Sequence, residues 1–263
     1  MAAIAAALAL AACAPASQPP RRIALLAPFE GRYREVGYDA LYALRLGLAD
    51  SGSNMIVNAI DISREADVRI YAAYRDPTIV AWVLAGPQLA QRDVHISLRS
   101  YITLPSLVLG SWGAPQVAAV YLMAPSNVSI GPAVVPLDTY RWDDDEDHGG
   151  DVFALREFAR LNPGADPVIV TAAALPDEAL ARRIKASGLF VPEPRLHASL
   201  AYDAGLFLGG ALADADTRAD ALEAVLRYEV EGYNGTIAFD PGGWRDAPVH
   251  RYRVTGETLV KLP

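Results

Sequence analysis

Short apolar runs alternate with stretches of helical period along the first hundred residues. Ile23-Ala24-Leu25-Leu26-Ala27 is unbroken and suits a central parallel strand covered on both faces, and Pro28 and Gly31 break it. Gly37, Leu41, Leu44 and Leu48 then recur at helical spacing, with Asp39, Arg45 and Asp50 off that stripe and Gly52 as the stop. Residues 55–60 read as a second strand ending at Asp61, and 66–74 as a short helix. Residues 79–85 form a third strand closed by Gly86-Pro87, followed by a helix over 91–101. A fourth strand, 106–109, is closed by Gly110. This alternation predicts a parallel sheet with right-handed crossovers.

The pattern then loosens. After 117–123, Ala133-Val134-Val135 runs almost directly into Asp143-Asp144-Asp145-Glu146-Asp147-His148-Gly149-Gly150. A helical stripe resumes through Leu155, Phe158 and Leu161, and 167–171 reads as a strand. The helix from Pro176 carries Asp177 and Glu178 in its first turn and Arg182, Arg183 and Lys185 towards its end, as the helix dipole favours, and Gly188 ends it. Leu200, Ala204, Leu208 and Leu212 stack on a later apolar helix. At the far end, Asn234-Gly235 and Asp240-Pro241-Gly242-Gly243 bracket a β-prone run, and 249–254 can pair with 258–262 across Thr255-Gly256-Glu257.

The chain has 263 residues, 52% hydrophobic and 21% charged, enough for one large core or two modest ones. A net charge of −8 opposes a nucleic-acid partner, because phosphate binding needs a concentrated positive face. Cys13 is the single cysteine, so an intramolecular disulfide is impossible. It follows an apolar run over 2–12, too short to span a bilayer but of signal-peptide length. Leu10-Ala11-Ala12-Cys13 resembles the lipobox of bacterial lipoproteins, which implies lipidation of Cys13 and membrane anchorage outside the cytoplasm, with 14–20 as a Pro-rich tether.

Several strings carry a broader resemblance. Residues 235–256 read G-T-I-x-F-D-x-x-G-x-R-x-A-P-V-x-x-Y-x-V-x-G. The opening from Ile23 through Gly31, Tyr33, Gly37 and Ala40, the Asp76-Pro77…Gly86-Pro87 stretch, and Ala201-Tyr202-Asp203-Ala204 add further anchors. Together these resemble type 1 periplasmic solute-binding proteins, the branched-chain amino-acid receptor family. The resemblance implies an α/β, two-lobed fold with parallel sheets flanked by helices, here with a reduced second lobe. It assigns 21–120 and 195–215 to the first lobe, and 121–194 and 216–263 to the second. It also implies a small-molecule ligand of amino-acid-like character, delivered to an ABC permease or another envelope protein. No cofactor follows from it.

In open α/β sheets, ligands bind beyond the carboxyl ends of the strands. That rule and the resemblance select Glu30 and Tyr33 after the first strand, Gly86 and Gln88 after the third, and Gly110, Ser111 and Trp112 after the fourth. Each has a structural alternative: the glycines turn the chain, and Trp112 packs. Pro87-Gln88-Leu89 stands where amino-acid receptors place small hydroxyl residues, and Ala172-Ala173-Ala174-Leu175 offers no acidic or aromatic partner for an ammonium group. A buried ammonium without such a partner costs several kcal/mol, roughly, which opposes an α-amino acid.

The acidic run 143–147 lacks the alternation of a calcium loop and reads as a solvated loop. His95, His148, His197 and His250 have no zinc-site spacing. Nucleophile-elbow, phosphate-loop and dinucleotide motifs are missing, so the sequence points to a binding protein rather than an enzyme. A degenerate cleft acting through protein contact alone is the alternative.

Overall fold

The computed structural model describes residues 20–110, 112, 117–124, 147–149, 154–161, 168–215, 217–241 and 243–263. Cys13, Ser111 and the acidic residues 143–146 lie outside them. Five strands build the larger sheet: β1 (Arg22–Ala27), β2 (Ile56–Asp61), β3 (Ile79–Leu84), β4 (Ser106–Leu109) and β5 (Val120–Met123). Their order is β2-β1-β3-β4-β5, and every pairing is parallel. The apolar runs of β1, β3 and β4 take the interior places, where both faces are covered. The less buried β2 and β5 take the edges.

Helices α1 (Arg34–Asp50), α2 (Ala66–Arg75) and α3 (Arg92–Tyr101) supply the crossovers. Helix α6 (Leu196–Ala211) arrives from far along the chain and lies against α1. It is apolar nearly all round and correspondingly buried. The two helices meet backbone to backbone: a Cβ on Gly47 would lie 2.0 Å from the Tyr202 carbonyl oxygen, and one on Gly205 2.3 Å from that of Leu44.

Helix α7 (Arg218–Arg227) begins at a capping box in which the Thr217 side chain accepts from the Asp220 amide and Asp220 accepts in return. Its Arg218 guanidinium donates to the carbonyls of Tyr74, Asp76 and Ile79. A small antiparallel sheet follows, formed by β8 (Glu229–Gly232), β9 (Gly235–Asp240) and β10 (Gly243–Trp244). Phe239 of β9 packs edge-on to Phe207 of α6, with ring centroids 5.0 Å apart, and tilts against Tyr121 of β5 at 5.4 Å. These contacts join 218–244 to the larger sheet, whereas the sequence reading grouped 216–263 with the second lobe. That reading also missed α7, although Thr217, Asp220, Ala221 and Val225 spell a capped amphipathic turn.

The second sheet has the order β12-β11-β7-β6. It is built from β6 (Asp147–Gly149), β7 (Val168–Ala172), β11 (His250–Thr255) and β12 (Thr258–Lys261), with α4 (Arg156–Leu161) and α5 (Glu178–Ala186) beside it in sequence. It is mixed rather than purely parallel: β6 runs parallel to β7, while β11 is antiparallel to both β7 and β12. Asp147, expected in a solvated loop, starts edge strand β6, because it pairs with Val168 and the next two residues pair with Ile169 and Val170. Among the described residues, no helix is long and apolar enough to cross a membrane.

Candidate functional site

The loops at the carboxyl ends of β1, β3 and β4 lie at one end of the larger sheet, as its parallel order requires. After β1, Glu30 is exposed and Tyr33 is half-buried against the core. The loop is fixed by Asp61, which accepts from the Phe29 amide at 2.7 Å and from the Ser63 hydroxyl at 2.6 Å. Burial opposes the Asp61 charge, but these donors outweigh it and hold the carboxyl below its usual range. Its position at a strand end resembles that of a ribose-binding acid, yet its oxygens serve the loop.

After β3, Gly86 sits at φ +111°, where an added Cβ would meet the Pro28 ring at 2.6 Å. Gln88 is buried, and its Oε1 has no hydrogen-bond partner. After β4, Gly110 turns the chain at φ 95°. Trp112 is 2% exposed, donates from Nε1 to the Leu109 carbonyl at 2.7 Å, and stacks on His197 with centroids 5.0 Å apart. Its indole is spent on packing.

Sequence reasoning overlooked a second group of residues. Asp39, off the apolar stripe of α1, is buried because it caps another helix. Its carboxylate accepts from the amides of Arg195, His197 and Ala198 at 2.6, 2.9 and 3.1 Å, satisfying the free donors at the start of α6. Burial nonetheless pushes its pKa up, against the nearby His197 charge and these three bonds. Only the contact between α1 and α6 reveals this role, and no local sequence signal encodes it.

Beside Asp39 lies a cavity of about 30 Å³, lined by Glu35 and Val36 of α1, by 154–156, and by the chain entering α6. It has room for a water or two. Two charged groups face it with atoms that are buried and unbonded: Oε1 of Glu35 and Nη1 of Arg195. The Arg195 Nη2 donates to the Glu257 carbonyl at 2.7 Å, on the turn between β11 and β12. Desolvation, then repulsion from Arg156, depress the Arg195 pKa.

The loop after β7 is bonded throughout. The Ala174 amide donates to Asn234 Oδ1 at 2.8 Å, and its carbonyl accepts from the Ser199 hydroxyl at 2.5 Å. Tyr252 and Tyr233 hydroxyls accept from the amides of Leu175 and Asp177 at 3.0 and 2.7 Å. Asn234 is in turn held by Asp203, whose carboxylate accepts from the Tyr233 and Asn234 amides and from Asn234 Nδ2 at 2.6, 2.9 and 2.8 Å. The two strings singled out in the sequence, around Asp203 and after Asn234, therefore meet in space.

No protein-family model matches this sequence, and no curated protein matches it. Solved structures do. The branched-chain amino acid transporter substrate-binding protein of Streptococcus pneumoniae, solved with isoleucine, superposes with a TM-score of 0.64 at 11% identity, covering 93% of this chain and 99% of that one. A solute-binding protein of an ABC transporter from R. palustris, solved with benzoate, gives 0.62 at 13% identity, covering 93% and 96%. A leucine-binding protein from Thermotoga maritima gives 0.65 at 13% identity, covering 92% and 98%. The chain has the type 1 periplasmic-binding-protein fold. The separate five-stranded parallel sheet and four-stranded mixed sheet fit the two-lobed form of that fold. The Asp203–Asn234 contact docks the segment that enters β9 onto α6.

Proposed function

We propose that this chain is a non-catalytic, extracytoplasmic solute receptor, anchored by a lipid on Cys13, that takes a small zwitterionic ligand between its lobes and presents it to a permease. The observation that carries the reading is the cavity beside Asp39. A carboxylate oxygen of Glu35 and a guanidinium nitrogen of Arg195 face it, buried and unbonded. Buried polar atoms without hydrogen-bond partners are costly, and an ammonium on Glu35 Oε1 with a carboxylate on Arg195 Nη1 would satisfy both at once. Glu35 thus supplies from the first lobe the acid that the loop after β7 lacks. Solved neighbours described as isoleucine and benzoate complexes support a carboxylate-bearing ligand. In this proposal Glu30, Tyr33, Gly86, Gln88 and Gly110, on the loops after β1, β3 and β4, stand on the first-lobe side of the crevice outside the cavity lining, and Trp112 packs behind them. The first lobe comprises the larger sheet with α6 and 217–244, and the second the four-stranded sheet.

Ligand pockets span about 300–1,000 Å³, so a cavity of about 30 Å³ describes a shut crevice that must open for entry. Thermal unfolding of the full chain in the presence of single amino acids, matching amines and matching carboxylic acids tests the proposal. A ligand at a hundred times its Kd stabilises by about 2.7 kcal/mol. Glu35→Gln and Arg195→Gln are each expected to abolish most of that gain, and stabilisation by the amine or acid alone would exclude a zwitterion.

A second reading, an envelope protein acting through protein contact alone, is favoured by the complete bonding of the loop after β7. Absence of stabilisation by any solute would support it.

A further inference from the structure

If the crevice opens, some contacts between the lobes must give way while others hold. Two seams join α5 and the loop before it to the first lobe, and they differ in kind. One is multiply bonded and joins half-buried Ala174 to the buried side chains of Ser199 and Asn234. The other is open to solvent: Arg183 of α5 places Nη2 2.7 and 2.6 Å from the two oxygens of Asp50, the last residue of α1. The Tyr202 hydroxyl of α6 donates to the same carboxylate at 2.7 Å, and the guanidinium lies 6.0 Å from the Tyr202 ring centre. The side chains of this ion pair are 50% and 27% exposed.

We propose that Arg183, Asp50 and Tyr202 form a releasable latch that biases the two lobes towards the shut state, and that the seam of Ala174 with buried Ser199 and Asn234 is the pivot. The chemistry suits this division. An exposed pair can exchange its partners for water at little cost, so it shifts an equilibrium without fixing it. A buried acceptor deprived of its donor has no such replacement, so the Ala174 seam stays closed. Tyr202 adds specificity, because it orients Asp50 from the first-lobe side and leaves both carboxylate oxygens available to Arg183.

The inference rests on the receptor reading for its purpose, but its test needs no ligand. Spin labels at exposed Arg32 in the first lobe and exposed Thr258 in the second, on a Cys13→Ser background of the full chain, report the distance across the crevice. Arg183→Gln and, separately, Asp50→Asn are expected to raise the long-distance population about two- to fivefold, the range for an exposed ion pair. High salt should do the same to the unsubstituted chain, and the exchanged pair Asp50→Arg with Arg183→Asp should restore the original distribution. Distances unmoved by either single substitution, or unrestored by the exchange, would overturn the latch. A solute that binds while the distances stay fixed sinks the latch alone. A working latch in a chain that binds no solute sinks the receptor reading and leaves the latch standing.

Discussion

Alanine at Gly205 is expected to destabilise the protein by about 3 kcal/mol, read as a lower denaturant midpoint with an unchanged slope. The added methyl would lie 2.3 Å from the Leu44 carbonyl oxygen and 2.9 Å from the Leu48 amide nitrogen. Both are backbone atoms, so no rotamer change can make room. Either α6 slides outward along its length or α1 bends, and both movements loosen the apolar surface buried between them. Gly47→Ala meets the Tyr202 carbonyl at 2.0 Å and should cost a similar amount. The two substitutions touch one contact, so the double variant should lose less than the sum of the singles. An alanine at either position that unfolds at the original denaturant concentration would show that the helices do not meet this closely.

The second large effect concerns acid. Burial pushes the Asp203 pKa from 3.8 up to about 6, although three N–H donors work against it. A carboxyl whose pKa is raised on folding binds its proton more tightly in the folded protein. Its contribution is therefore complete below the unfolded value and is lost as pH rises through about 6, a difference of about 3 kcal/mol. Buried Asp39 acts with the same sign. Asp50, Asp61 and Asp76 act with the opposite sign, since their pKa values are lowered and their contributions vanish in stronger acid. Stability should accordingly rise as pH falls from 7 to about 5 and decline below about 4. Denaturant titrations at one-unit intervals would show this, and Asp203→Asn should flatten the rise. A chain that steadily weakens from pH 7 to 5 would contradict the raised pKa of Asp203.

Wherever local pattern dictated structure, the sequence was readable. The runs at Ile23, Ile79 and Ser106 became interior strands because unbroken apolar stretches need cover on both sides. The hairpin around Gly256 followed from turn residues between β-prone segments. Long-range partnership was not readable. Asp39 looked like a residue off the apolar stripe, since nothing near it in sequence announces the amides of 195–198. Trp112 was read as a pocket wall or a packing residue, and its stack on His197 shows packing. Glu35 and Arg195 stand 160 residues apart in number, so only the folded chain could bring them to one cavity.

The pairing of α1 with α6 also governs the order of assembly. A nascent chain that has emerged only as far as β5 already holds every strand of the larger sheet, yet it lacks the helix that covers α1. Its apolar flank would stay bare until residue 211 has left the ribosome, which makes the first half of the chain a natural client for chaperones and a poor candidate for expression as a fragment.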